Sequence, residues 1–207
     1  MAFRVFHLAS PSTIEQVQDP EKQLLDPAIK GTINVLTVAK EAGFWYPISK
    51  TLSEKAAWDF SKEKGLDVVV VNPGLVLGPV IPPRINGSML LFGSLLQGRT
   101  EAPEDLFMGF VHFKDVALAH ILVYENKSAT GRHLCVESLS NYGDFVAKIA
   151  ELYPEYKVPR LPKDTRPKLS SAMLGSKKLM DLGLQSIPVE QIIKDAVESL
   201  KSRGFIS

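Results

Sequence analysis

The stretch Leu66-Asp67-Val68-Val69-Val70-Val71-Asn72-Pro73-Gly74 decides the fold class. Its four consecutive valines are bounded by Gly65 on one side and by an Asn-Pro-Gly turn on the other. A continuous apolar run of this length is typical of a strand that is covered on both faces, as in the centre of a parallel sheet. Ligands of open α/β sheets bind outside the carboxyl ends of the strands, so residues 73–76 are candidates for cofactor contact. A plain strand exit, with proline and glycine as turn residues, is the alternative.

Upstream of this strand, Tyr46 and Lys50 are four residues apart and lead into a predicted helix over residues 51–64. Residues with this spacing lie on one face of a helix. A nearby lysine cation lowers the pKa of a phenol from its usual value of about 10. The pair can therefore give a proton to a carbonyl oxygen during hydride transfer. Tyr153 and Lys157 have the same spacing, but Pro154 follows the tyrosine and favours a surface turn.

The first apolar run along the chain, Val5-Phe6-His7-Leu8-Ala9-Ser10-Pro11, predicts a buried strand and its exit near the start of the sequence. Its small residues would let a flat ring approach the backbone closely. His7 is more simply explained as a hydrogen-bonded core residue than as a catalytic acid or base.

The composition is that of a globular enzyme. The 207 residues are 45% hydrophobic, and the net charge of +1 gives no electrostatic basis for binding nucleic acid or an anionic membrane.

Cys135 is the only cysteine, which excludes an intrachain disulfide and favours a reducing compartment. The first apolar run ends at Pro11, and no stretch reaches the ~18 apolar residues of a membrane helix. The expected location is the cytosol.

The remaining pattern predicts further helices and short strands, without internal repeats. His112, Asp115 and His120 fit no standard zinc spacing, so Asp115 is interpreted as a helix cap and no metal site is expected. An apolar stripe in the last helix is interpreted as core. Helices are predicted over residues 27–40, 88–96, 116–125, 143–153, 177–182 and 188–201, and strands over 111–113 and 133–137.

Six segments together resemble plant cinnamoyl-CoA reductase-like proteins, which are extended short-chain dehydrogenases related to dihydroflavonol reductases. The segments are residues 5–11, 19–36, 45–50, 55–58, 72–79 and 114–120. The resemblance extends to the C-terminal tail. It implies an α/β fold: an incomplete Rossmann-type, doubly wound parallel sheet with a smaller C-terminal substrate lobe. Residues 1–77 would be the remnant of an NADP-binding domain, and residues 78–207 would hold the substrate lobe with the remaining Rossmann elements.

The same resemblance implies the site residues and the cofactor. Tyr46 and Lys50 would be the catalytic pair, and NADP(H) would be the cofactor. The partner would be a small aromatic carbonyl substrate, with no nucleic acid and no membrane involved. The positions that match cofactor contacts are His7, Leu8, Ala9, Tyr46, Lys50, Pro73, Gly74, Leu75, Val76 and Ser88.

Two departures from the family pattern bear on activity. The family begins with a glycine-rich turn that binds the pyrophosphate at a helix N-terminus, and no such fingerprint precedes Gly31. The family also carries a strand with a catalytic serine at the point where Gly43 meets Phe44 in this sequence. We therefore expect a chain that is shortened at its N-terminus and internally deleted. Ser49 and Ser53 lie nearby, but they occupy other angles of the predicted helix.

The substrate class can be narrowed by one further comparison with the family. Leu91 and Ser94 stand where true cinnamoyl-CoA reductases have a histidine and a lysine that help to bind the anionic CoA group. Neutral residues cannot neutralise phosphates, so a free aromatic aldehyde or ketone is expected instead. The alternative is a catalytically inactive homologue that at most binds partners. A dehydratase or epimerase of the same group is a third interpretation.

Overall fold

The structure is a computed structural model that describes residues 45–81, 84–99, 107–159 and 176–207. The chain divides into two compact units, Met1–Val70 and Val71–Ser207, which are described separately. The predicted strand over residues 5–11 and the predicted helix over 27–40 lie outside the described residues. The expected division into a nucleotide-binding part over 1–77 and a mixed part over 78–207 stays a prediction.

Helix α1, Trp45–Lys64, is the main described element of the first unit. It begins six residues before the predicted range, and it accommodates Pro47 because the first N–H groups of a helix have no intrahelical partner. Ser49 and Leu52 are buried, with 1% and 5% of their surface exposed, whereas most of the last two turns are exposed. The helix therefore has one buried side.

Among the residues that the structure describes, five strands form two small sheets. Strand β1 lies beside β4 in one sheet, and the other has the order β2, β3, β5. Strands β2 and β3 are parallel, with Val76 opposite Val111, whereas β3 and β5 are antiparallel. The valine run forms strand β1, whereas its predicted place at the centre of a sheet stays a prediction. Neither β2 nor β5 was predicted, and β3 begins four residues before the predicted range of 111–113 and ends before Phe113. The strands are β1 (Val69–Pro73), β2 (Leu75–Leu77), β3 (Phe107–His112), β4 (Gly131–Cys135) and β5 (Ser138–Asn141).

Helices follow or precede these strands in the alternating pattern of an α/β protein, which confirms the predicted fold class. The ranges of α2 and α6 agree with prediction to within a residue or two at each end. Gly183 and Gly204 have φ values of 102° and 73° just beyond α5 and α6, as expected for C-terminal glycines. The helices are α2 (Gly87–Leu96), α3 (Phe113–Glu125), α4 (Tyr142–Leu152), α5 (Lys177–Asp181) and α6 (Val189–Ser202).

The start of α3 corrects one prediction. Asp115 is not the N-cap of this helix, because α3 begins at Phe113 and its N-cap is His112. The Nδ1 atom of His112 accepts a hydrogen bond from the Lys114 N–H at 3.1 Å. The buried Asp115 carboxylate instead accepts from the N–H of Ile187, at 2.9 Å, and so ties α3 to the segment before α6.

The second unit has two hydrophobic clusters. The larger packs α2, α4 and α6 against β2 and β3, and the predicted apolar stripe of α6 is buried within it. The smaller contains Val111, Cys135 and Leu179 and packs α3 and α5 on the other side. Cys135 is fully buried. The members of the α6 stripe, all at most 1% exposed, are Ile192, Ile193, Ala196, Val197 and Leu200.

The hydroxyl of Ser176 fixes the segment before α5 to the backbone of Val136. The Oγ of Ser176, before α5, both donates to the carbonyl of Val136 and accepts from its N–H, at 2.6 and 2.7 Å.

Within the described residues, no helix is long and apolar enough to cross a membrane.

Candidate functional site

Tyr46 and Lys50 both lie in the first turns of α1, four residues apart. Their backbone positions are therefore on one side of this helix, as the spacing predicted. Lys50 is half-buried, and burial lowers the pKa of its ammonium group. The hydroxyl of Ser53 donates to the Ser49 carbonyl at 2.8 Å, so it is occupied by the helix backbone.

The predicted cofactor-contacting turn joins β1 to β2 in the second unit. Pro73, the last residue of β1, is exposed, whereas Leu75 and Val76 of β2 pack against different hydrophobic clusters. The N–H of Gly74 donates to the Cys135 carbonyl at 3.1 Å. The side chains of Leu75 and Val76 are thus partly buried against the core, and a cofactor contact here would be made by backbone atoms and Pro73.

Gly74 has a packing reason to be glycine. A Cβ at this position would overlap the backbone of Gly109 in β3, and it would also lie 2.8 Å from a methyl of Val136. Gly109 in turn faces the same methyl group. The alternative explanation of this turn as a strand exit therefore accounts for its glycine, and the cofactor role of Gly74 stays a prediction.

A cavity of about 100 Å³ lies beyond the carboxyl end of β2. Its lining is mainly apolar and includes Leu77, Val80, Met89 and Phe113, with Arg84 and Asn86 as polar members. The cavity is smaller than the ~300–1,000 Å³ of a typical whole-ligand pocket, so it fits one ring or side group of a larger ligand. The amide of Asn86 caps α2, because its Oδ1 accepts from the Met89 N–H at 2.9 Å.

Ser88, another predicted cofactor contact, lies half-buried in the first turn of α2. Leu91 and Ser94, the two positions used to narrow the substrate class, are half-buried further along this helix. The predicted contacts His7, Leu8 and Ala9 lie outside the described residues.

Two residues behind the cavity were missed as site residues. Gly78 has a φ of +126°, and a Cβ there would lie 2.8 Å from Nε2 of His112, so the glycine packs directly on the imidazole ring. The ring is fully buried, and burial lowers the pKa of His112 despite the neighbouring charges of Asp195 and Asp115. Nε2 lies 3.3 Å from Oδ2 of Asp195 in α6. Only the Gly-Pro pair after β2 could have indicated this contact from sequence.

Within the described ranges, no group of three or more His, Cys, Asp and Glu side chains is arranged to bind a metal ion. Nδ1 of His120 lies 2.7 Å from the carbonyl oxygen of Val116 and so takes part in a contact within α3. His112 and Asp115 have the capping and tertiary contacts described above.

Comparison with known proteins shows what this chain is similar to. Residues 42–136 match the NAD dependent epimerase/dehydratase family. The chain is 38% identical, over 243 aligned positions, to the cinnamoyl-CoA reductase CAD2 of Medicago truncatula, covering 97% of this chain and 74% of that protein.

Solved structures of reductases have a fold similar to that of this chain. Vestitone reductase from alfalfa superposes with a TM-score of 0.70 at 29% identity, over 85% of this chain and 57% of that one. The yeast methylglyoxal/isovaleraldehyde reductase Gre2 also has a TM-score of 0.70, at 24% identity, over 96% of this chain and 76% of that one. The predicted Rossmann-type α/β fold is confirmed.

Proposed function

Since the chain belongs to the cinnamoyl-CoA reductase-like members of the NAD dependent epimerase/dehydratase family, we propose that its chemistry is the NADPH-dependent reduction of an aromatic aldehyde or ketone to an alcohol. The observation that carries this proposal is the position of Tyr46 and Lys50 in the first turns of α1, inside the segment that matches the family. A cytosolic location goes with it, because the only cysteine excludes an intrachain disulfide.

In the proposed reaction, Tyr46 gives its phenolic proton to the carbonyl oxygen as negative charge develops there. Lys50 stabilises the resulting phenolate and binds a ribose hydroxyl of the cofactor. Burial of Lys50 strengthens this electrostatic effect, since charges interact more strongly away from water. The bound nicotinamide cofactor would supply the hydride. The exposed Pro73 and the apolar cavity beyond β2 suit a flat ring held against the backbone.

The proposed substrate is a free carbonyl compound because α2 lacks the charges that a CoA ester needs. Leu91 and Ser94 are neutral, and α2 has no basic residue in its last turn. Phosphate groups are normally bound by arginine, lysine or helix N-termini. We therefore expect cinnamaldehyde to be preferred to cinnamoyl-CoA.

One observation favours the alternative, a catalytically inactive homologue. The alignment with the Medicago protein has 243 positions, but 97% of 207 residues is only about 201 residues. About 42 aligned positions therefore have no residue in this chain. Unmatched positions of this kind are what an internal deletion would leave, such as the one expected between Gly43 and Phe44. The loss of one preorganised donor typically lowers a rate by about 10²–10³.

The test compares two proteins, this chain and a chimera in which the Medicago protein supplies both its residues that precede the aligned region and the aligned residues that this chain lacks. NADPH oxidation is followed by absorbance with cinnamaldehyde, phenylacetaldehyde and cinnamoyl-CoA. We expect turnover by the chimera, and a loss of about 10²-fold or more in kcat for its Tyr46→Phe variant with NADPH affinity retained. Tyr124→Phe, an exposed tyrosine in α3, is the matched control.

The outcomes separate the two candidates. If only the chimera reduced the substrates, the reaction would belong to the family, and this chain would be inactive. Turnover by both proteins would remove the alternative. An inactive chimera with normal NADPH binding, or a Tyr46→Phe chimera with an unchanged rate, would contradict the proposed reaction.

A further inference from the structure

The wall of the cavity beyond β2 is formed by residues 78–81, which have no regular secondary structure. Gly78, Val80 and Ile81 all line the cavity from this segment. A wall without strand or helix hydrogen bonds needs contacts from elsewhere to keep its shape. In this unit, those contacts come from α6, near the C-terminus.

The first contact is a buried hydrogen bond. The N–H of Val80 donates to the Oγ of Ser199 at 2.8 Å, although the two residues are 119 positions apart in sequence. Val80 and Ser199 are only 8% and 9% exposed. Removal of this hydroxyl would leave a buried backbone donor without its acceptor, which favours a rearranged wall.

The second contact acts through His112. Asp195 lies one turn before Ser199 on α6, and its Oδ2 is 3.3 Å from Nε2 of His112. This is an electrostatic contact, since Nε2 has no aligned hydrogen-bond partner among the described residues. The other carboxylate oxygen of Asp195 accepts from the Gln191 amide at 2.6 Å, which holds the carboxylate in place. The His112 ring then supports Gly78 from behind.

We propose that Asp195 and Ser199 are positioning residues, which hold the two ends of the wall 78–81 so that the cavity keeps room for the ring of an aromatic carbonyl ligand. Residues four apart lie on one face of a helix, so a single face of α6 makes both contacts. The identity of the ligand rests on the proposed function. The positioning itself rests only on the contacts within this unit.

The contacts would also stabilise the fold, so the experiment must separate local from global effects. Amide hydrogen exchange is measured by NMR on the full chain and on Ser199→Ala, Ser199→Thr and Asp195→Asn. We expect exchange within 78–81 to become about tenfold faster in Ser199→Ala, because one buried hydrogen bond is lost. Ser199→Thr keeps the hydroxyl and should restore slow exchange. Asp195→Asn keeps the shape of the side chain, removes its charge, and should accelerate exchange at the Gly78 end.

The matched control is Ser202→Ala, which removes an exposed hydroxyl of the same helix that donates to the Ser199 carbonyl, at 3.1 Å, and makes no contact with Val80. It should leave exchange within 78–81 unchanged. The β3 amides act as an internal reference for global opening in every variant. If Ser199→Ala accelerated exchange equally in β3 and in 78–81, or left both unchanged, the positioning role would be overturned.

A second arm tests the ligand. Cinnamaldehyde is titrated into each protein, and shifts of the Gly78 and Ile81 amide signals give its affinity without any need for turnover or cofactor. We expect Ser199→Ala to weaken binding several-fold and Ser202→Ala to leave it unchanged. If cinnamaldehyde did not bind the unmodified chain, the proposed ligand would be wrong, whereas the exchange data would still decide the positioning.

Discussion

At the scale of single residues, two glycines should respond to alanine in opposite ways. Gly78 has a φ of +126°, and an added Cβ would lie 2.8 Å from His112, so Gly78→Ala should lower the free energy of unfolding by about 2 kcal/mol or more. Gly93 lies inside α2, and its added Cβ would lie 3.6 Å from Leu200, an ordinary contact. Gly93→Ala should raise the free energy of unfolding by about 0.5–1 kcal/mol.

Urea denaturation of the two variants beside the parent chain measures both effects. An equal loss of stability in both variants would mean that packing near α2 is tighter than these distances indicate. A stable Gly78→Ala would mean that the backbone after β2 can relax away from the imidazole.

The buried histidines predict a pH dependence of stability. Burial lowers the pKa of His112 and of His133 in the folded state, and the charge of Lys178 lowers that of His133 further. In the unfolded chain both return to about 6.5. The unfolded state therefore takes up protons first, and the free energy of unfolding should fall as the pH decreases from about 7.5 through 6.5. The slope is at most ~1.4 kcal/mol per pH unit for each histidine.

The urea midpoint, measured at intervals between pH 5 and pH 8, tests this dependence. His133→Gln should flatten the curve, because it removes one of the two buried imidazoles whose pKa is lowered in the folded state. Stability that increases on acidification would contradict the expected sign.

For single residues, the sequence indicated which side chains are important more reliably than it indicated which residues they contact. Asp115 was expected to cap α3 because an aspartate next to an apolar helix is a common N-cap. The structure gives that role to His112 and directs the Asp115 carboxylate to Ile187, 72 residues later. Such a long-range partner leaves no local pattern. The contacts of Ser199 with Val80 and of Asp195 with His112 were missed for the same reason.

At the scale of elements, α6 should carry much of the stability of the second unit. Ile193 is fully buried on its apolar face, so Ile193→Ala should cost about 2–5 kcal/mol by removing buried methyl groups and leaving a cavity. Ile121 in α3 is 48% exposed, and Ile121→Ala should change stability by no more than about 0.5 kcal/mol.

Chemical denaturation followed by circular dichroism gives both values. Similar losses in the two variants would indicate that the exposed face of α3 is covered in solution. A small loss for Ile193→Ala would mean that α6 contributes less to the core than its burial indicates.

Elements with a strong periodic or continuous pattern were predictable. The valine run of β1 and the apolar stripe of α6 each carry a pattern that local sequence alone specifies. Strand β5 was missed because Ser138-Leu139-Ser140-Asn141 has only one apolar residue and no alternation of useful length. It forms by pairing with β3 over residues 107–110, which is a contact between distant segments.

At the scale of the whole molecule, the predicted site residues come from both compact units, each of which is described by itself. Tyr46 and Lys50 belong to Met1–Val70, whereas Pro73 and Ser88 belong to Val71–Ser207. The local pattern of each group could be interpreted from sequence alone. Their common role came only from the resemblance to a family, because spacing within a chain does not report contacts between distant segments.

The rate at which Cys135 reacts with a thiol reagent should report how often the core of the second unit opens. The thiol is fully buried, and burial raises its pKa to about 12, while only the thiolate attacks the disulfide of a thiol reagent. The folded chain should therefore react with Ellman's reagent at pH 8 at least about 10³-fold more slowly than glutathione, given the usual stability of a folded domain. The labelling rate would then measure how often this core opens, without any dye or engineered probe. Immediate labelling of one thiol per chain would show a core that is open most of the time.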